Sequence, residues 1–309
     1  MDNSNRESAR IRHSRVILLI LALFVVTGLL TGCGIVDRVT GRGNDGAATD
    51  SPPEGSHDGG STRTVCKFAD DTLEEISGLA ASIKHPGILW AHNDSGDGPR
   101  IYAVNNTTCK IQATIALGGV DPRDVEAIAM GRNSAGDPVI WVGDIGDNQG
   151  TWPSVRLYRI PEPNKIKNQT VQAKTYNVTY ADGPRDAEGL LVDPRPGGRI
   201  WIASKRMVAQ GGLYALPKSF VSDGYGTAKR VGSVPAMTTD ASFAPNGESF
   251  VIRTYLGAEL FQGAPPGVDE QTVGLPLQTQ GEAITFSSAG TGFYVASEGE
   301  ASLWFVPLD

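Results

Sequence analysis

Histidine and cysteine are scarce in this sequence. Its 309 residues include four histidines and three cysteines. After residue 62 only His85 and His92 remain, and His85 precedes a proline, so a zinc site built on a histidine cluster is excluded. The sequence also lacks a Gly-x-Ser-x-Gly nucleophile elbow and a Walker phosphate loop. These absences exclude elbow-type serine hydrolases and P-loop nucleotide enzymes.

Positive charge is also in short supply. The chain has 27 Lys and Arg against 34 Asp and Glu, a formal net charge of −7 at pH 7. Without residues 1–32 the counts are 23 and 32, and the charge becomes −9. This balance argues against nucleic acid and against an anionic membrane surface as a partner.

One long apolar run, residues 16–30, lies near the start of the chain, and four arginines precede it. A basic segment, an apolar run too short to span a membrane comfortably and small residues after it predict a secretory signal over residues 1–32. Residues 30–33, Leu-Thr-Gly-Cys, resemble the bacterial lipobox. That resemblance implies cleavage before Cys33, acylation of its thiol and a lipid anchor in the cell membrane. An uncleaved signal anchor is the alternative, and both interpretations place the remaining chain on the extracytoplasmic side.

Residues 33–62 are dominated by Gly, Asp, Ser, Pro and Thr, which predicts a flexible tether after the lipidated Cys33. Two further cysteines follow, Cys66 and Cys109. An oxidising location permits a disulfide between them. Two free buried thiols are the alternative.

From residue 63 to residue 309 the sequence repeats one pattern five times: an apolar strand, a turn, a second strand, a polar loop and a third strand. A more polar fourth strand follows four of the copies, at residues 111–117, 173–180, 229–234 and 271–275. Four strands per unit without helical periodicity predict an all-β protein, a β-propeller with five four-stranded blades. The N-terminal strand, residues 63–68, supplies the missing strand of the last blade. Six blades or an irregular sandwich are the alternatives.

Acidic residues recur where the first strand of a copy begins. The motif Pro-Arg-Asp-x-Glu occurs at residues 122–126 and again at 184–188. Asp and Glu two apart on an extended strand point the same way, so both can face the channel. In the fifth copy Glu282 stands at this register, and in the first Ser77 does, while the fourth offers Thr239 or Asp240. The candidate metal-binding carboxylates are Glu75, Asp124, Glu126, Asp186, Glu188, Asp240 and Glu282.

Several carboxylates around one axis cannot all stay ionised without a counter-charge. A hard divalent cation is the simplest solution, and Ca²⁺ favours oxygen-rich surroundings. The neighbouring Arg123, Arg185 and Arg253 are a second solution, and a purely structural role for the acids is a third.

Candidate catalytic residues lie where second strands end, which is the face of the predicted propeller on which the first strands begin. They are His92, Asp94 and Asp144. His92 beside Asp94 has the chemistry of a general base, although a lone histidine at a strand end is more often a structural hydrogen-bonding residue.

The repeated Asp-x-Glu-Gly/Ala-Leu/Ile, at residues 124–128, at 186–190 and in part at 282–284, resembles the phytase-like ("esterase-like") propellers. The resemblance implies calcium-dependent phosphoester hydrolysis. It implies that Glu126, Glu188 and Glu282 bind metal and that Lys205 and Arg253 hold phosphate. The candidate substrate-binding set is Arg123, Arg185, Lys205, Arg206 and Arg253.

Two functional classes remain open at this point. One is a lipid-anchored hydrolase that acts on a small anionic phosphoester or ester with Ca²⁺. The other is a non-catalytic propeller that binds an envelope protein or a glycan through its acidic loop face.

Overall fold

The computed structural model describes residues 61–69, 71–94, 96–220 and 222–308. These residues form strands and turns, with one short 3-10 turn at Asp71–Leu73. Most strands are short runs of branched, small and aromatic residues that are buried on both faces. In chain order the strands are β1 (Arg63–Lys67), β2 (Ile76–Ala81), β3 (Ile88–Asn93), β4 (Arg100–Asn105), β5 (Ile111–Gly118), β6 (Val125–Arg132), β7 (Pro138–Asp144), β8 (Val155–Pro161), β9 (Gln169–Gln172), β10 (Lys174–Tyr180), β11 (Ala187–Val192), β12 (Ile200–Ser204), β13 (Gly211–Ala215), β14 (Tyr225–Val234), β15 (Thr238–Phe243), β16 (Ser249–Thr254), β17 (Ala258–Gln262), β18 (Val268–Val273), β19 (Gln280–Phe286), β20 (Gly292–Glu298) and β21 (Glu300–Pro307).

The strands pair in antiparallel groups of four. The groups are β2-β3-β4-β5, β6-β7-β8-β10, β11-β12-β13-β14, β15-β16-β17-β18 and β19-β20-β21-β1. The first strand of each group contacts the first strand of the next, and β19 contacts β2, so the inner strands β2, β6, β11, β15 and β19 form a closed ring. The predicted all-β propeller is confirmed. Strand β1 pairs with β21, so the N-terminal strand closes the last group as the sequence predicts.

The outer edges of the sheets differ from the prediction. Strand β9, which the repeat pattern does not contain, adds in parallel to the edge of β5. The outer strands β10 and β14 pair in parallel and join two groups into one sheet. Strands β14 and β18 begin earlier than the predicted ranges 229–234 and 271–275. These strands are polar and partly exposed, so hydrophobic periodicity marks them weakly, whereas their pairing covers edges that would otherwise be open.

The core lies between the sheets. Trp90, Trp141 and Trp201 occupy the same position in three second strands, and all three are buried. They belong to three different hydrophobic clusters. Equivalent large side chains thus fill equivalent spaces around the ring, which is why the repeat in the sequence becomes a repeat in the structure.

Cys66 and Cys109 form the predicted disulfide, with their Cα atoms 5.7 Å apart. Cys66 lies on β1, the closing strand of the last sheet, and Cys109 lies in the turn between β4 and β5 of the first sheet. The disulfide therefore links the last sheet of the ring to the first. The alternative of two free thiols is wrong.

The described strands all belong to one compact unit, residues 59–309. This unit contains five hydrophobic clusters and also both strands, β1 and β21, whose pairing closes the ring. This segment carries what a domain needs to fold by itself. The predicted signal segment, Cys33 and the tether as far as residue 60 lie outside the described residues. Among the residues that the structure describes, there is no helix with the length and the hydropathy needed to span a membrane.

Candidate functional site

A β-bulge near the start of every inner strand builds the first layer of the site. In each case one residue is left out of the pairing with the second strand. A bulge re-aims the side chain of its extra residue. The five residues are all buried: Ser77, Glu126, Glu188, Thr239 and Glu282.

The bulge also resolves the ambiguous fourth copy. Thr239 is the bulged residue, equivalent to the glutamates, and its hydroxyl donates to the carbonyl oxygen of Gly281 at 3.0 Å. Asp240 stands one residue later. Its two carboxylate oxygens accept backbone N–H groups, from Ala241 at 2.7 Å and from Ile284 at 2.8 Å. Asp240 thus ties β15 to β19, and we leave it out of the proposed metal site.

The second layer comes from the residues at the ends of the second strands. Four of them stand at one register of the repeat and carry polar side chains: Asp94, Lys205, Tyr255 and Glu298. The equivalent residue of the second copy is the buried Ile145. Three of these residues donate their backbone N–H to the carbonyl oxygen two residues before the bulge, Asp94 to Glu75, Lys205 to Asp186 and Tyr255 to Met237.

Asp94, Asp124 and Glu126 come together as one cluster. One carboxylate oxygen from each lies within 4.8 Å of the others. Burial raises the pKa of Asp124 to about 7, and the neighbouring carboxylates, Asp94 first, add to the rise. Burial also raises the pKa of Glu126 well above its ordinary value, again with Asp94 as the largest contributor of like charge. Such a cluster attracts protons or a hard cation, and carboxylate oxygens are the ligands that Ca²⁺ prefers.

A largely buried lysine compensates the second glutamate, Glu188. The Lys205 ammonium forms an ion pair with Glu188 and donates to the Tyr255 hydroxyl at 2.8 Å. Burial lowers the pKa of Lys205, but the combined charges of Glu188, Glu282, Glu126 and the neighbouring Tyr255 outweigh it, and the net shift is upward. Burial raises the pKa of Glu188 to about 8, although Lys205 opposes the rise.

The third glutamate has an amide partner instead of a cation. Gln280 donates from its side chain to Glu282 at 2.8 Å and also to Glu298. Burial raises the pKa of Glu282 well above its ordinary value and that of Glu298 to about 7. Glu298, Tyr255 and Gln280 are absent from the sequence-based set. The equivalence of Glu298 to Asp94 and Lys205 in the repeat is the signal that finds it.

Asp144 has structural partners for both oxygens. One oxygen accepts the backbone N–H groups of Arg123 and Asp124 at 3.0 and 2.8 Å. The other accepts the Tyr158 hydroxyl at 2.8 Å. The carboxylate is fully buried, and its hydrogen bonds order the segment that carries Asp124.

The arginines of the candidate substrate-binding set do not converge on the acids. Arg123 stacks on Trp152 at 3.9 Å, and Arg206 is exposed. Arg185 stacks on two tyrosines and pairs with Asp182 at 2.6 Å. The fully buried Arg253 donates to the Ala283 carbonyl and to the Gln278 side chain, each at 2.6 Å. Among these five predicted residues, only Lys205 forms an ion pair with one of the bulged glutamates, Glu188.

His92 is buried and oriented by its neighbour. Its Nδ1 donates to the carbonyl oxygen of Asn93 at 2.9 Å, and its Nε2 has no hydrogen-bond partner in the described part of the chain. Burial lowers its pKa. A Cβ atom at Gly78 would lie 2.3 Å from Nε2, so only glycine leaves room for this ring.

Asp186 and Glu75 lie at the edge of the site. Asp186 accepts the backbone N–H of Asp147 at 2.9 Å, and the negative charge of Glu75 helps to raise the pKa of Glu298.

Comparison with known proteins identifies no family. No family model and no curated protein matches the sequence. Among solved structures the chain is similar to one described as a streptogramin B lyase, with a TM-score of 0.41 and 11% identity over 80% of this chain and 97% of that chain. The function therefore has to be inferred from the geometry of the site.

Proposed function

We propose that this domain binds a divalent cation, with Ca²⁺ the preferred ion, through Asp94, Asp124 and Glu126 at the mouth of the channel. The observation that supports the proposal is the approach of three carboxylate oxygens to within 4.8 Å of one another. Like charges this close destabilise the protein unless protons or a cation compensate them.

We further propose that the protein is a Ca²⁺-dependent phosphoester hydrolase of the phytase-like type. When bound, the cation would polarise a phosphoryl oxygen and lower the pKa of a coordinated water. Asp94, Asp124 and Glu126 would hold it. Asp144 supports this set by fixing the backbone of Asp124, and the Lys205 ammonium offers positive charge beside Glu188.

The proposed location follows from the N-terminal sequence. A lipid on Cys33 would anchor the domain to the extracytoplasmic side of the cell membrane, and residues 33–62 would tether it. A small anionic ligand would then reach the channel mouth from the cell exterior or the envelope.

A second candidate is a non-catalytic propeller that presents the acidic mouth to an envelope protein or a glycan. One observation favours it over the hydrolase. Both oxygens of Asp144 are occupied by backbone and hydroxyl donors. Of the three candidate catalytic residues, Asp94 belongs to the cation cluster and His92 is buried, so none of them stands as a free general base.

The test is isothermal titration of Ca²⁺ into residues 59–309 after treatment with a chelator. We expect binding in the unaltered domain and its loss in an Asp124→Asn, Glu126→Gln double variant. Asp121→Asn is the matched control, because Asp121 is exposed on the same loop and lies outside the cluster. Absence of heat in the unaltered domain would overturn the cation site.

The hydrolase proposal needs a separate measurement. The Ca²⁺-loaded domain is assayed on p-nitrophenyl phosphate and on inositol hexakisphosphate, with the double variant as the blank. Turnover that requires Ca²⁺ supports the hydrolase. Calcium binding without turnover on either phosphoester contradicts it and favours the binding protein.

A further inference from the structure

A cavity opens at the end of the channel opposite the bulges, where turns join the first strand of each group to the second. It has a volume of about 230 Å³. The inner strands carry their bulges near their starts, whereas residues toward their ends line this cavity, and all five inner strands contribute. Polar and apolar groups share its wall, and the large apolar side chains in it include Leu79, Ile128, Met130, Val192, Phe243 and Phe286.

Most of the hydroxyl groups in the wall already serve the strands. The Ser242 hydroxyl accepts the backbone N–H of Phe286 at 3.3 Å. The Thr285 hydroxyl accepts the backbone N–H of Ala81, also at 3.3 Å. These hydroxyls fasten neighbouring inner strands, so each of them already has a hydrogen-bond partner in the protein.

Arg132 is the charged residue of the wall. It ends β6 and is half-buried, and its Nη1 donates to the carbonyl oxygen of Gly136 at 2.9 Å. No carboxylate of the described residues forms an ion pair with it. A guanidinium has five donors in a planar fork that matches a carboxylate, and this one gives a single hydrogen bond to a neutral acceptor.

We propose that this cavity binds a small aliphatic carboxylate. Binding sites for small molecules combine apolar side chains with a few placed polar groups, and this cavity brings large apolar side chains together with one arginine. The hydrocarbon chain would pack against the ends of the inner strands, and the carboxylate would accept from Arg132. The proposal is independent of the cation site, which lies at the opposite mouth.

The experiment is calorimetric titration of residues 59–309 with octanoate and with octanamide, its neutral counterpart. A chelator is present throughout, so that a cation at the acidic mouth cannot hold the carboxylate. We expect octanoate to bind about tenfold more tightly than octanamide, because only octanoate forms a charge-assisted pair with Arg132. Equal affinity for the two, or no binding of octanoate, would overturn the proposal.

Two pairs of variants locate the ligand. Arg132→Gln should reduce octanoate to the affinity of octanamide, whereas Arg199→Gln, another arginine of this face that donates to a backbone carbonyl, should not. Ser288→Trp should block the cavity, because Ser288 is exposed at its rim, and the adjacent exposed Ala289→Trp should not. If Arg132→Gln does not fold by circular dichroism, the tryptophan pair decides. Octanoate binding that survives Ser288→Trp would contradict the assignment.

Discussion

The two mouths of the channel are built by the same five inner strands, yet they differ in chemistry. At the strand starts, bulges bring Glu126, Glu188 and Glu282 into a buried ring with Ser77 and Thr239. At the strand ends, apolar side chains, several hydroxyls and one arginine line a cavity. The acidic mouth keeps groups that oppose folding, since like charges are buried there. At the other mouth, apolar side chains are removed from water, as they are in an ordinary hydrophobic core. This contrast is the reason why we propose a cation for the acidic mouth and a ligand with a hydrocarbon chain for the other.

The largest change in the free energy of unfolding is expected from removal of the Lys205 ammonium at the acidic mouth. Replacement of Lys205 by methionine leaves Glu188 buried without its ion-pair partner. Breaking a buried pair from one side costs about 3–5 kcal/mol, and we expect a loss of that size in urea unfolding at neutral pH. Arg206→Met is the control, because the adjacent Arg206 is exposed, and it should change stability by less than about 0.5 kcal/mol. Equal losses in both variants would remove the distinction between the buried and the exposed cation.

A pH titration is expected to have the next largest effect. Burial raises the pKa of Glu188 to about 8 and those of Asp124 and Glu298 to about 7. A raised pKa in the folded state stabilises the protein below the unfolded pKa, and this stabilisation is lost as the pH rises through the folded pKa. With a chelator present, we expect the free energy of unfolding to fall by about 2–4 kcal/mol between about pH 5 and about pH 9, after allowance for solvent screening at the partly exposed groups.

Calcium should reduce that fall, because a bound cation compensates the charges that protons compensate at low pH. Chemical denaturation at each pH, with and without Ca²⁺, gives both curves. A free energy of unfolding that rises with pH in the chelator would show that the acids are not held at raised pKa values.

A smaller effect, of the opposite sign, is expected from Glu126→Gln. Glutamine keeps the shape and the contact with the Ser77 hydroxyl but removes one like charge from the cluster. In the absence of Ca²⁺ at about pH 8, the variant should be about 1–2 kcal/mol more stable than the unaltered domain, and Ca²⁺ should no longer raise its melting temperature.

Glu248→Gln on the opposite face is the control, since Glu248 is exposed in a turn. It should leave both the stability and the calcium response unchanged. Destabilisation by Glu126→Gln would indicate that the glutamate has a structural role in place of a binding role.

The smallest effect tests whether the mouths act independently. Arg132→Gln should change the calcium affinity by less than about 0.5 kcal/mol, because distant sites without shared partners contribute additively. Titration of Ca²⁺ into the variant measures this. A larger change would mean that the inner strands couple the two mouths.

The repeat in the sequence predicts much of the fold. The apolar first, second and third strands are marked by hydrophobic pattern, and the structure has them where the pattern places them. The added strand β9 and the early start of β14 are missed, because edge strands are held by backbone pairing that leaves little trace in hydrophobicity.

Prediction of the site is less complete. The sequence identifies Asp124 and Glu126 as a pair that faces the channel, and the structure brings them to Asp94. It misses Glu298, and it cannot choose between Thr239 and Asp240. That choice depends on which residue is bulged, and a bulge is a property of the pairing between two strands and not of either strand alone.

The sequence by itself determined the repeat and the acidic register, and it predicts the signal segment and the tether, because each of these depends on composition or on local periodicity. The tertiary structure decided which acids share one cluster and which accept hydrogen bonds from backbone N–H groups. It also decided that a cavity with Arg132 lies at the opposite mouth. Those features depend on distances between side chains from different sheets. Only closure of the ring fixes such distances.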